Sequence, residues 1–264
     1  MRIATNKELP VILNQISKDK LQNVYLYIDV LVYGVDDANI DIWFELFDDG
    51  IVILLRYYDS FQVFKSTSAA LPENISAVIE KYKPKMISAR LDVAKELSLY
   101  LDANYQLTSG YVLKYDGATE QDIKQSEVSY ASKSDFEEIA KLICSDDEIG
   151  AHYSVDVLQE QLISRMESKT GRNVVIKDKS KLVAHFATYA EVSGLAVLGG
   201  LIILPEYRGK GYARLLMSYL SEILIKEKRE VILFCNNEHI LKMWIKLGAS
   251  IYNNYGKLTL NNNI

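Results

Sequence analysis

A glycine-rich turn offers the clearest chemistry in the sequence. The run Arg208-Gly209-Lys210-Gly211 follows an apolar, strand-like segment at residues 201–204 and precedes apolar residues that recur at helical spacing from Leu215 to Leu224. Glycine at these two positions lets backbone N–H groups converge, and the N-terminus of the following helix adds positive potential at the same point. The pattern, with its basic side chains, therefore predicts a binding site for an anion such as a pyrophosphate.

Two common nucleotide-binding motifs are excluded at this turn. A P-loop continues into Gly-Lys-Ser or Gly-Lys-Thr, whereas Tyr212 and Ala213 follow the last glycine here. A dinucleotide fingerprint requires parallel strands, whereas the strand-like segments at 173–177 and 182–190 are separated by a loop of hairpin length and should be antiparallel. Neither a nucleoside triphosphate with magnesium nor a dinucleotide is the expected ligand.

Composition limits the class of protein. The chain has 264 residues, is 49% apolar and 25% charged, and carries a formal net charge of -5, which is typical of a globular protein of one or two domains. The acidic balance disfavours nucleic-acid binding. The longest apolar stretches reach about ten residues, too few to span a membrane, and no signal segment is evident. We expect a cytoplasmic protein that binds a small molecule or a protein, with no metal site, because its cysteines and histidines show no ligand spacing.

The second half of the sequence predicts the elements that position the turn. Strands are expected at 126–131, 173–177, 182–190, 195–204 and 231–234, and a capping box at Ser134 and Glu137 predicts a helix start. Further helices should begin after Ser154, after Gly211 and at Asn236 or Asn237, the last ending at Gly248. Two closing strands, 249–252 and 257–260, should flank a turn at Asn253-Asn254.

The first half repeats this order more faintly. Helices are expected over 9–16, from residue 21 to an end at Gly34, and over 72–82, and strands over 42–47, 51–57 and 61–64. A shift of 146 positions lays residues 86–113 on 232–259 without a gap, which favours either an ancient duplication or a chance match. The polar stretch 116–125 is the expected linker, so we predict one domain over residues 1–120 and another over 126–264.

The second domain resembles the GNAT superfamily of acetyl-CoA-dependent N-acyltransferases. The segment Arg208-Gly209-Lys210-Gly211-Tyr212-Ala213 matches the Arg/Gln-x-x-Gly-x-Gly/Ala signature of that family, and residues 237–249 resemble its C-terminal Asn, helix and Leu-Gly-Phe segment, with Ala249 in place of Phe. The resemblance implies an α+β fold with a mixed, mostly antiparallel sheet and flanking helices. The smaller α/β domain that precedes it would have a similar topology.

The resemblance also implies how acetyl-CoA would be bound. Backbone N–H groups of residues 208–213 would hold the pyrophosphate, and the pantetheine arm would lie along Ile202, Ile203 and Leu204, with Asn237 on its other side. A backbone N–H of the same strand would meet the acetyl carbonyl when an amine attacks. The first half offers Ser66 to Pro72 where the turn should stand, with no glycine and no basic residue after Lys65, so it should not bind coenzyme A.

Catalytic and acceptor residues are less clearly marked. The family often keeps a carboxylate on the strand before the turn as a general base, but residues 195–204 contain none; Glu191, just upstream, is the nearest acidic candidate, and a solvated hairpin residue is its alternative interpretation. The frequent tyrosine acid of the family falls on Trp244, which cannot donate a proton to a thiolate. His152 and Tyr153 occupy the position where the family receives its acceptor.

The sequence thus favours an N-acetyltransferase that passes an acetyl group directly from acetyl-CoA to a primary amine on a small molecule or a protein. The alternative is a non-catalytic acyl-CoA-binding regulatory protein, which the missing strand carboxylate and Trp244 favour.

Overall fold

A computed structural model of the chain describes residues 1–101, 104–117, 127–146 and 154–261. They divide into two compact units, one of Met1–Val112 with Tyr252–Ile264 and one of Leu113–Ile251. Residues 252–261, which belong to the predicted second domain of 126–264, group with the first unit. Along the chain, the final strand therefore begins in one unit and ends in the other.

The first unit is a twisted sheet with helices on both faces. Its elements are β1 (Arg2–Ile3), α1 (Leu9–Ser17), α2 (Val24–Tyr33), β2 (Ile40–Phe47), β3 (Gly50–Tyr57), β4 (Ser60–Lys65), α3 (Ile75–Tyr82), β5 (Met86–Arg90), α4 (Leu91–Leu97), most of β6 (Tyr105–Tyr115) and the end of β12 (Ala249–Leu260). The strand order is β1-β2-β3-β4-β5-β12-β6. Side chains alternate between the faces, so that Ile51, Ile53 and Leu55 pack under α1 and α2, whereas Val52 and Leu54 pack toward α3 and α4.

The second unit repeats this plan. Its elements are β7 (Val128–Tyr130), α5 (Phe136–Cys144), α6 (Val155–Glu167), β8 (Asn173–Asp178), β9 (Lys181–Val192), β10 (Leu195–Ile203), α7 (Tyr212–Lys226), β11 (Glu230–Cys235) and α8 (Glu238–Lys246). Within this unit the strand order is β11-β10-β9-β8-β7. The pairs β7–β8, β8–β9 and β9–β10 are antiparallel and β10–β11 is parallel, as β4–β5 is in the first unit. The expected mixed, mostly antiparallel α+β fold is confirmed.

The apolar patterns explain where the helices lie. Phe136, Ile139 and Leu142 on α5 are buried with Leu158 and Leu162 of α6 against one face of the sheet. On α7, the predicted stripe is buried through Leu216, Leu220 and Leu224. These two layers enclose the strands that carry the glycine turn, which is why a turn at the end of β10 is held in a defined place.

Two local predictions were wrong. The capping box lies at Ser132 and Asp135, two residues earlier than the predicted Ser134 and Glu137, because the Asp135 carboxylate accepts hydrogen bonds from the Ser132 backbone N–H and hydroxyl, each at 2.8 Å. The predicted turn at Asn253-Asn254 is absent, since β12 runs unbroken from Ala249 to Leu260. Pairing with a neighbouring strand keeps this segment extended, because Tyr255 to Thr259 pair residue by residue with β5.

Candidate acyl-CoA site

The glycine turn joins the end of β10 to the start of α7. Gly209 and Gly211 have φ angles of +77° and +86°, the left-handed region that favours glycine, and Gly211 is the N-cap of α7. A Cβ atom added at either glycine would meet nothing within 4 Å. The turn is therefore open on its outer side, and the first N–H groups of a 15-residue helix, which have no partner inside the helix, point into this space.

The basic side chains of the turn are exposed around it. The Nε of Arg208 donates to the backbone oxygen of Ile203 at 3.2 Å, which anchors the guanidinium beside the end of β10. The ammonium of Lys210 lies 4.3 Å from the centroid of the Tyr207 ring. The Tyr207 hydroxyl in turn donates to Asp178 at 2.8 Å. Cations fixed beside a helix N-terminus form a site that attracts phosphate groups.

Strand β10 separates from its parallel neighbour halfway along its length. The paired residues of β10 and β11 run only from Leu195 with Glu230 to Leu198 with Leu233. Toward β9, the pairing of β10 is irregular between Gly199 and Ile202, where two residues oppose one, as in a β-bulge. Beyond Leu198, β10 therefore has a backbone edge that β11 does not cover.

The three predicted pantetheine contacts lie on this stretch, but their backbones face different ways. The N–H of Leu204 donates to the Val183 oxygen of β9, and alternation along an antiparallel pair turns Ile202 to the same side. Ile203 turns its N–H and carbonyl away from β9, toward the uncovered edge. Of the three residues, Ile203 is thus the one whose backbone can bind an extended arm there.

Asn237 stands at the end of β11, where α8 begins. Its side-chain oxygen accepts from the N–H groups of His239 at 2.9 Å and Ile240 at 3.2 Å, so it is the N-cap of α8, and its residue is exposed. The amide nitrogen of Asn237 is the part of this side chain that could donate to a ligand. Asn237, rather than Asn236, therefore caps the helix.

The Glu191 carboxylate is held by hydrogen bonds and ion pairs with neighbouring side chains. Its side chain is 3% exposed, and it accepts from the Arg172 guanidinium at 2.7 and 2.9 Å and from the Thr188 hydroxyl at 2.6 Å, with Arg229 at 3.5 Å. It pairs with Ala196 near the start of β10, the end remote from the turn. These contacts oppose the predicted role as a general base, because the carboxylate oxygens are already occupied by donors.

The same charged group extends to Glu227. Hydrogen bonding from Arg172, with help from Arg229, lowers the pKa of Glu227 to about 2, and the carboxylates raise the pKa of the Arg172 guanidinium above its usual range. A cavity of about 580 Å³ opens beside this network and is lined by Tyr130, Met166, Lys169, Arg172 and Glu227 among others. No residue of the glycine turn lines it, so this cavity and the turn are separate features of the unit.

Trp244 has a packing role. It is 2% exposed and its ring lies 6.0 Å, between centroids, from both Tyr115 and Phe186. An indole N–H in this position cannot serve as the acid of a thiol leaving group. The predicted acceptor residues His152 and Tyr153 lie outside the described residues.

A polar group next to the β10 bulge was not predicted from the sequence. His185 on β9 is fully buried, with hydrogen-bond contacts to the Gly200 oxygen and to Asn173, and the Tyr189 ring covers Gly199 and Gly200. The signal that could have revealed it is the Gly199-Gly200 pair inside a strand, since glycine in a strand often marks a bulge or a close approach.

In the first unit, the turn that corresponds to the glycine turn is not an anion site. After β4, the Lys65 ammonium donates to the Ala69 oxygen at 2.7 Å and pairs with Glu96 at 3.0 Å, while Ala69 and Leu71 are buried in the core. This turn is packed inward, in contrast to the open turn after β10.

Comparisons with known proteins agree with this geometry. The family model described as "Acetyltransferase (GNAT) family" matches residues 136–249. A Drosophila protein of known structure covers 100% of this chain and 99% of its own at 14% identity, with a TM-score of 0.66. A GNAT-family acetyltransferase from Colwellia psychrerythraea covers 98% and 99% at 13% identity, with a TM-score of 0.60.

A third structure has two such domains in one chain. A tandem GNAT protein from the clavulanic acid biosynthesis pathway covers 96% of this chain and 94% of its own at 12% identity, with a TM-score of 0.61. At these identities the structures establish the fold, over both units. A search of curated proteins gave no match. The family model, together with the strand, open turn and helix that it spans, shows that residues 136–249 are an acyltransferase domain of the GNAT family.

Proposed function

We propose that the chain transfers an acetyl group from acetyl-CoA to an amine, with the cofactor held by the second unit. The observation that supports this most strongly is the continuity of the uncovered edge of β10 with the open turn at the N-terminus of α7. A long thioester with a pyrophosphate at one end matches that arrangement. The backbone N–H groups of the turn, with Arg208 and Lys210, would hold the phosphates, and the Ile203 backbone would bind the pantetheine arm.

Acetyl-CoA supplies an activated carbonyl, and the protein supplies orientation and charge stabilisation. Attack by a neutral amine forms a C–N bond, breaks the C–S bond and moves one proton from nitrogen to the departing sulfur. A backbone N–H on the uncovered edge of β10 would stabilise the negative charge that develops on the carbonyl oxygen. Direct transfer of this kind needs no nucleophile on the enzyme. Proximity then accounts for much of the acceleration, because both reactants are fixed in one site.

A non-catalytic acyl-CoA-binding protein is the second candidate. It is favoured by the ion pairing of Glu191, at the position expected for the base, and by the burial of Trp244, at the position expected for the acid.

Release of free thiol from acetyl-CoA separates the two candidates. The protein would be incubated with acetyl-CoA and a panel of amines comprising amino acids, polyamines, aminoglycosides and peptides with free N-termini. Amine-dependent thiol release, absent from heat-treated protein, is the result expected for an acetyltransferase. Calorimetric binding of acetyl-CoA without release across the panel would instead support a regulatory protein.

A further inference from the structure

A buried polar pair lies directly behind the bulge of β10. The Nδ1 atom of His185 is 2.9 Å from the Gly200 oxygen, and its Nε2 atom is 2.9 Å from the side-chain amide of Asn173. His185 is 0% exposed and Asn173 is 6% exposed. The three residues lie on adjacent strands, and His185 is opposite Ile202 of β10 and Val175 of β8.

The protonation of this pair follows from its partners. Burial lowers the pKa of His185 to about 4, so the imidazole is neutral near pH 7 and has one N–H group. The Gly200 carbonyl can only accept, which places the proton on Nδ1. Nε2 then needs a hydrogen-bond donor. The oxygen and nitrogen of the Asn173 amide are alike in shape, and this contact assigns the NH2 group to the position next to Nε2. His185 thus donates to the bulge, and Asn173 fixes the tautomer that does so.

Tyr189 covers the same bulge from β9. A Cβ atom at Gly199 would lie 2.3 Å from a ring carbon of Tyr189, and one at Gly200 would lie 3.0 Å from its hydroxyl oxygen. Gly200 also has a φ of +66°. The backbone at 199–200 is therefore pressed against the ring in a conformation that other residues rarely adopt, and the His185 hydrogen bond fixes the carbonyl at its centre.

The bulge begins where β10 loses its pairing with β11. The last pair with β11 is Leu198 with Leu233, and the register toward β9 shifts on both sides of Leu198, between Val197 and Leu198 and between Gly199 and Ile202. Bulges bend a strand and increase its twist, so this one provides a physical reason for the divergence of the two strands.

We propose that His185 and Asn173 are positioning residues for the acyl-thioester arm: by holding the Gly200 carbonyl, they keep the bulge of β10 in place and its outer backbone edge uncovered. This inference rests on the proposed function, since the arm is that of acetyl-CoA. Neither side chain touches the reacting atoms in this account. Their effect is transmitted through the backbone between Gly199 and Ile203.

The test separates the two ends of the cofactor. Acetyl-CoA and adenosine 3′-phosphate 5′-diphosphate, which keeps the pyrophosphate but has no pantetheine arm, are titrated calorimetrically into the full chain and into His185→Leu, which removes the donor. We expect His185→Leu to weaken acetyl-CoA binding by about tenfold or more, while the affinity for the diphosphate stays within about threefold. His185→Asn, which keeps a donor near the Nδ1 position, should restore most of the loss.

Controls keep the result specific. Leu224→Val weakens core packing in the same unit, near the end of α7 that is remote from the turn, and should change neither affinity. If His185→Leu does not fold, Asn173→Ala takes its place and should show the same selective loss. Equal affinities of the variant and the parent for acetyl-CoA would overturn the positioning role alone, as would an equal loss of both ligands. Failure of the parent chain to bind acetyl-CoA would overturn the proposed function, and the positioning role with it.

Discussion

At the scale of single residues, the contacts of Glu191 indicate a structural role. We expect Glu191→Gln to lower the free energy of unfolding by about 1–3 kcal/mol, because it weakens buried hydrogen bonds to a charged group, those from Arg172. Acetyl transfer per folded molecule should stay within a few-fold of the parent. Urea unfolding together with rate measurements would check this. Unchanged stability with a rate loss of about a hundredfold or more would make Glu191 the general base.

Asp29 is the buried acid of the first unit. Burial raises its pKa to about 6, and the Gln62 amide, which donates to it at 2.5 Å, offsets this only in part. The unfolded carboxyl titrates near pH 3.9, so the native state binds more protons between about pH 4 and 6, and its stability falls as the pH rises through that window. Above pH 6 Asp29 is ionised, and the full free-energy cost of burying its charge lowers the stability of the native state.

Asp29→Asn should therefore stabilise the protein at pH 7 by about 1–3 kcal/mol and have little effect at pH 4. The amide can still accept from Gln62. Urea unfolding at both pH values measures the difference, and Asp48→Asn, an exposed change of the same type in the same unit, is the matched control. Equal effects at the two pH values would contradict the proposed cause.

At the scale of elements, local patterns predicted most of what holds the turn. The stripe from Leu215 to Leu224 predicted α7, and the apolar run before Pro205 predicted β10, because both depend on the spacing of nearby residues. The bulge and the His185 contact could not be predicted in this way. They depend on which strands are adjacent and in which register, and these are properties of residues that are distant along the chain.

The final strand is a second feature that local sequence patterns did not predict. Asn253-Asn254 has the composition of a turn, yet β12 continues through it because Tyr255 to Thr259 pair with β5. Gly256 lies opposite Ala89, and its missing side chain leaves room for Ala94, whose Cβ would be 2.4 Å from a Cβ there. A cross-strand partner outweighed the local preference.

The allocation of strands predicts how fragments behave. A fragment of residues 126–264 lacks Leu113 and Tyr115, both buried in the second unit, and its residues 255–259 lose β5 as their partner. A fragment of residues 113–251 keeps all the residues of that unit. We expect the second fragment to be the more stable in thermal melts followed by circular dichroism. A cooperative melt of 126–264 at the higher temperature would contradict the assignment.

At the scale of the whole molecule, two units share one order of elements but differ in chemistry. The shift of 146 positions places β5 on β11, α4 on α8 and β6 on β12, which agrees with the observed elements. Of the two equivalent turns, the one after β10 contains two glycines whose Cβ positions are open, whereas the one after β4 is packed into its own core. Among the described residues, no helix is long and apolar enough to cross a membrane.

The central claim is that the turn from Arg208 to Ala213 holds the pyrophosphate of acetyl-CoA. Gly211→Glu would place a carboxylate at the N-cap of α7, in the space that the phosphates need. Gly194→Glu is the matched control, because Gly194 also has a positive φ, of +73°, and open space around its Cβ position, in the same unit. Both variants add the same charge and the same backbone strain.

Calorimetric titration of acetyl-CoA into the parent and the two variants tests the claim most directly. We predict one binding site per chain in the parent, a loss of about tenfold or more in affinity for Gly211→Glu through charge repulsion and bulk, and unchanged affinity for Gly194→Glu. Unchanged circular dichroism of both variants would show that the fold is retained. Parent-like affinity in a folded Gly211→Glu protein would contradict the account, because the phosphates would then be bound elsewhere.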